Sequence, residues 1–178
     1  MKTRAPKYFS YFKTSEDGHA TIEFVIMVPV LLIILLSSVE LGVLTLRYAL
    51  LERALDVVVR DIRLTTGVDF VHDDIRDDIC EVASIIPDCS NNLKLEMMTM
   101  DLRNWTGIPT ETVCTDRAEV VQPLSTFESG VSNQLMVLRA CAKIEPLFPT
   151  TGLGASFETD NAGDYALVTT TAFVQEPK

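Results

Sequence analysis

Residues 16–42 read "EDGHATIEFVIMVPVLLIILLSSVELG", and the reading of this stretch decides the fold. No charged residue occurs from Phe24 to Val39, and extending the run to Leu46 adds only Glu40. As an α-helix rising about 1.5 Å per residue, Phe24 to Leu46 reaches roughly 35 Å, more than the about 30 Å of a hydrocarbon core. A transmembrane segment is expected at about residues 22–46. Glu23 is out of place there. It opens the apolar run five residues after Gly18, where neither a plain span nor a removable secretory signal has use for a carboxylate. Pro29 lies inside the run and predicts a kink, because it removes a backbone donor and crowds the preceding turn.

The flanks of the run are unequally charged. Residues 1–18 carry Lys2, Arg4, Lys7 and Lys13 against Glu16 and Asp17, a net +2; the whole chain is −10, which leaves −12 from His19 onward. A basic flank before a span and an acidic body after it orient the N-terminus to the cytoplasm and the C-terminal part across the membrane. The acidic body argues against nucleic acid as a partner. Four cysteines, Cys80, Cys89, Cys114 and Cys141, all follow the span, with no Cys-x-x-Cys pair and with His19 and His72 not at ligand spacing. That pattern argues against zinc and for two disulfides in an oxidising compartment.

Beyond the span, "LRYALLERALDVVVRDIRLTTG" keeps apolar residues at intervals of three and four, so one helix is expected over 19–66, half in lipid and half amphipathic, with Gly67 as its stop. "HDDIRDDICEVASIIPDC" reads as a shorter helix with Ile75, Ile79, Val82/Ala83 and Ile86 on one face, Asp73 as N-cap and Pro87 closing it. Its acids Asp73, Asp74, Asp77, Asp78 and Glu81 read as a solvated face in preference to a cation site. Three strands follow. In "NLKLEMMTMDLRN" the polar phase slips at Met97–Met98, which predicts a bulge. "NQLMVLRACAKIE" sets Met136, Leu138, Ala140, Ala142 and Ile144 against Arg139, Cys141, Lys143 and Glu145, and "GDYALVTTTAFVQE" is rich in β-branched and aromatic residues. The fold class is α+β: a long N-terminal helix, a short helix and a small antiparallel sheet.

Basic leader, Gly18, four residues, Glu23, Phe24 and an unbroken apolar helix together resemble the class III signal of type IV pilins and pseudopilins. The resemblance implies that a membrane prepilin peptidase cuts between Gly18 and His19, so that residues 1–18 are a cytoplasmic leader and the helix is retained. An ordinary secretory signal would need small residues after the apolar run, and Leu36 occupies such a place before Ser37–Ser38. "ATIEFVIMVPVLLIILLSSVELGVL" further resembles the TadE/TadG-like proteins of the Flp, or tight-adherence, pilus: Glu-Phe, a proline about five residues on, then Glu-Leu-Gly at the far end. "YALLERALDVVVRDIR" and, more loosely, "LRACAKIEPLFP" are similar to later parts of that family; residues 66–133 carry no motif of it. The length favours the compact TadE-like or TadF-like form.

The resemblance implies a pilin-like minor pilin or pseudopilin, acting in pilus initiation or at the tip. Its expected partners are the prepilin peptidase, other minor pilins, the major Flp pilin and the inner-membrane assembly platform. The protein is expected to be no enzyme and to need no cofactor or metal, with residues 67–178 as a periplasmic domain. Glu23, one helical turn from a new amine at His19, would pair with a neighbouring subunit's amine in lipid, where either charge alone is costly. The competing reading is a single-pass envelope sensor or binding protein that keeps its N-terminus. Glu40 reads as interfacial or as part of a polar network, and "ETDNAGDY" as a hairpin turn in preference to a cation loop at 157–164. Of the three possible cysteine pairings, Cys80–Cys89 and Cys114–Cys141 are expected. The first needs only a chain reversal around Pro87; the second ties a long loop to the polar face of a strand.

Overall fold

The protein is described by a computed structural model covering residues 19–65, 67–105, 107–117 and 124–177. Helix α1, His19–Leu64, runs without a break through Pro29. Helix α2 spans His72–Val82 and a single turn, α3, spans Cys89–Asn92. Strands β1 (Leu93–Met100), β2 (Leu135–Ile144) and β3 (Tyr165–Val174) form one antiparallel sheet in the order β1-β2-β3.

The second half of α1 is amphipathic, and its apolar stripe is what builds the core. Leu51, Ala54, Leu55, Val58, Val59 and Ile62 are buried at helical spacing. They join one face of the sheet: Leu93, Leu95 and Met97 from β1, Met136 through Ile144 at alternate positions of β2, and Tyr165, Leu167 and Phe173 from β3. Helix α2 adds Ile75 and Ile79 and packs on β1, while α1 packs on β3 and α2. Ala140 and Ala142 stand in the central strand, where small side chains leave room for both helices.

Three local expectations are corrected. The β1–β2 register is continuous from Leu93↔Ala142 to Met100↔Leu135, so there is no bulge at Met97–Met98. The shift in polar phase has another cause: Thr99 shares the parity of Leu93, Leu95 and Met97 but is exposed near the strand end, and Asp101 and Arg103 lie beyond the strand. Asp73 is not the N-cap of α2. Val71 holds that place, and the Asp73 carboxylate instead accepts from His72 Nδ1 and Arg76 Nη1, each at 2.9 Å. Nor does Pro87 close α2, which ends at Val82 with Ala83 at its C-cap, four residues earlier.

The outer edge of β1 is covered, which protects it from pairing with other chains. Its outward N–H groups are taken by His72 Nε2 (from Leu95, 3.2 Å) and by the Thr126 carbonyl (from Met97, 2.9 Å), and Glu128 returns a bond to the Met97 carbonyl. Because His72 Nε2 accepts, its proton sits on Nδ1, facing Asp73.

Candidate functional site

The first turns of α1 carry the residues singled out in the sequence. Glu23 and Phe24 are both exposed, Phe24 by 66%. Pro29 is exposed in turn, and Ile22, Val25, Ile26, Met27, Leu31, Ile33 and Ile34 show half or more of their surface. None of the most apolar 18 residues of this helix is buried. So much contiguous apolar surface is stable only against lipid or another protein's apolar face. Gly18 and the leader 1–18 lie outside the described residues, as do the surroundings of the His19 side chain.

The folded domain grips α1 lower than expected. The Ser37 hydroxyl accepts the Leu153 N–H at 3.1 Å. One turn on, Glu40 is only 1% exposed, and its two carboxylate oxygens accept the Leu147 N–H at 3.1 Å and the Phe148 N–H at 2.9 Å. The loop after β2 has a kinked, proline- and glycine-bearing backbone whose N–H groups have no ladder to join. A carboxylate from the helix supplies the missing acceptors. Gly152, at φ +56°, lies against Ser37, and a Cβ there would strike the hydroxyl. The expected span at 22–46 therefore overlaps the docked segment, and the part of α1 below the domain is residues 19–36.

Both disulfides are in place: Cys80–Cys89 across the turn from α2 to α3, with Cα atoms 5.6 Å apart, and Cys114–Cys141, with Cα atoms 5.3 Å apart. The second fixes a long loop to the sheet face away from α1. Arg139, 5% exposed, does the same through hydrogen bonds. Its Nη2 donates to the Pro109 carbonyl at 2.6 Å and its Nη1 to the Glu111 carbonyl at 2.9 Å and Thr112 Oγ1 at 3.2 Å, with Glu96 at 3.4 Å across the strands. A buried guanidinium is thereby satisfied on several sides.

The five acids of the α2 stretch are all exposed, as a solvated face requires, and four of the acids read as solvated or turn residues also have protein partners. Asp73 and Asp77 both bind Arg76, and the His72 ring beside Asp73, with Arg76, holds the Asp73 carboxyl below its usual range. In the 157–164 loop, Asp160 accepts from the Ala162 and Asp164 N–H groups at 3.0 Å each and meets Lys143 Nζ at 2.9 Å. Asp164 pairs with Arg117. Burial works against ionising Asp160, but the Lys143 ammonium and the two N–H groups outweigh it and lower its pKa. Among the described residues no group of three or more His, Cys, Asp and Glu is placed to hold a metal ion.

What sequence reasoning missed is the role of Glu40, Arg139 and His72. Each bonds a backbone segment far along the chain, and only a lone acid in an apolar helix and a lone arginine in an apolar strand marked two of them. The apolar helix that begins at His19, carries Glu23 and is gripped at Glu40 is long and apolar enough to cross a membrane. Residues 18–60 match the model of the TadE-like protein family. Comparison with curated proteins and with solved structures gave no match. The matched segment covers the exposed half of α1 and most of its core-forming half, and it is similar to TadE-like proteins over that stretch alone. Among the described residues, one helix, near the N-terminus, is long and apolar enough to cross a membrane, as in a single-pass membrane protein.

Proposed function

We propose that this protein is a minor pilin or pseudopilin-like subunit that acts in assembly of a Flp/tight-adherence pilus, at initiation or in the tip complex. The observation that carries the reading is the coincidence of the TadE-like segment at 18–60 with an apolar helix left bare by its own domain. A retained helix with so much exposed apolar surface suits a subunit that leaves the bilayer by packing against other such helices. In this reading the protein is a structural subunit, the substrate of a prepilin peptidase and no catalyst itself. The N-terminus starts in the cytoplasm and residues 67–178 form the periplasmic domain.

Cleavage after Gly18 would place a free amine at His19, with Glu23 one helical turn away. Among packed helices, the Glu23 carboxylate would neutralise the amine of an adjacent subunit, and both charges are expensive in lipid without a partner. Phe24, beside it, would enter the helix–helix contact. The test is Glu23→Ala expressed in the native host in place of the wild-type chain. Membrane insertion should be unchanged while pilus number and co-purification with other pilus subunits fall at least about tenfold, the effect of some 1.4 kcal/mol per contact. Unchanged piliation together with unchanged co-purification would reduce Glu23 to an interfacial residue.

A further inference from the structure

Arg47 lies two helical turns beyond Glu40 on the same face of α1 and is only 9% exposed. Its Nε and Nη1 atoms are buried and have no hydrogen-bond partner. They border a pocket of about 370 Å³ between α1, the α2–α3 turn and the loop after β2. Two other cations border it, but both are engaged: Arg117 with Asp164 and Lys143 with Asp160. Two carboxylates, Asp88 and Glu145, also border the pocket but are exposed, so Arg47 is the one buried cation there without a partner, an arrangement that costs several kcal/mol unless an anion reaches it. Asn92 lines the same pocket. It is 2% exposed, and its Oδ1 is a buried acceptor without a donor.

We infer that this pocket binds the phosphodiester headgroup of a membrane lipid, with its phosphate on Arg47 and a headgroup donor, a hydroxyl or ammonium, on Asn92 Oδ1. The donors fit: the unpartnered Nε and Nη1 of Arg47 suit the oxygens of one singly charged phosphodiester, while a dianion would meet the exposed carboxylates of Asp88 and Glu145 at the rim. The position fits as well. Leu147, 44% exposed, lines the pocket and donates its N–H to Glu40, so the pocket reaches down to within one turn of Ser37, where the domain first grips α1. Arg47 stands about 10 Å past Glu40 along the axis, and helical side chains lean toward the N-terminus, which is the bilayer side. The inference rests on the membrane anchor and is independent of the pilus role.

The test uses the full chain in an uncharged maltoside detergent, with thermal unfolding followed by near-ultraviolet circular dichroism. Dihexanoyl phosphatidylglycerol should raise the midpoint by about 3 °C or more, and Arg47→Met should abolish that shift. Dihexanoylglycerol, which lacks the phosphate, should have no such effect on the wild type. If Arg47→Met does not fold, phosphorus NMR of the wild type with the same lipid decides, the expectation being saturation at one lipid per chain. An equal shift from inorganic phosphate or glutarate would assign Arg47 to a free oxyanion and overturn the proposal. So would the absence of any shift or of saturable binding, which would leave the guanidinium to water.

Discussion

Glu40 shows how one residue can set where a membrane anchor ends. Its two oxygens hold the Leu147 and Phe148 N–H groups, so Glu40→Ala leaves two part-buried donors without these acceptors. At about 1–3 kcal/mol for each, the variant should lose roughly 2–4 kcal/mol of stability, and Glu40→Gln, which keeps one acceptor, about half of that. Urea unfolding of the full chain in detergent measures this, and equal stability of all three would show that the loop is held by other contacts. Asp160 makes a prediction in pH. Its carboxyl titrates lower in the folded than in the unfolded chain, so its contribution is complete above the unfolded value near 4 and is lost as pH falls through the folded value. Stability should therefore drop below about pH 4, and Asp160→Asn, which keeps the turn acceptor but not the charge facing Lys143, should flatten that drop. An unaltered acid limb in the variant would place the sensitivity elsewhere.

Among the elements, β2 carries the most connections, because both of its faces are covered. One meets the helices; the other is tied to the 109–114 loop by Arg139 and by the Cys114–Cys141 bridge. With a sequence separation of 27, that bridge should contribute roughly 3–4 kcal/mol by loop-closure entropy. Cys114→Ser and Cys141→Ser should lower the denaturant midpoint equally, with the double variant no worse. A much larger loss in Cys141→Ser would instead credit packing at that buried site. The elements themselves were largely legible. Helix α1 is announced by an apolar run passing into a three-to-four repeat, and β2 and β3 by alternation and β-branched residues, all local signals. The β1 register was misread because the strand ends at Met100 with Thr99 already exposed, so the polar residues that follow mark the strand's end and not a slip. The single four-residue turn α3, which directly follows a left-handed Asp88, was missed because its position is set by contacts that no local period reveals, Cys80–Cys89 and the Asn92 bond to the Pro87 carbonyl.

As a whole the molecule is a helix of 46 residues, about 69 Å long, with a small α+β domain wrapped on its far half. Below the first hydrogen bond from the domain, at Ser37, residues 19–36 span about 27 Å, close to the thickness of a hydrocarbon core. Such a rod suits both a resting place in the membrane and packing among identical rods in a filament. The depth at which the domain sits was not legible in the sequence, because it is set by contacts between residues more than 100 positions apart. Gly18→Leu should leave insertion intact and accumulate uncut chain, since a side chain at the scissile position obstructs a peptidase that fits the backbone closely. The most direct measurement is the intact mass of the membrane-bound protein isolated from cells that make the pilus. A chain beginning at His19 is the predicted result; one that still begins at Met1 would contradict its processing as a pilus subunit.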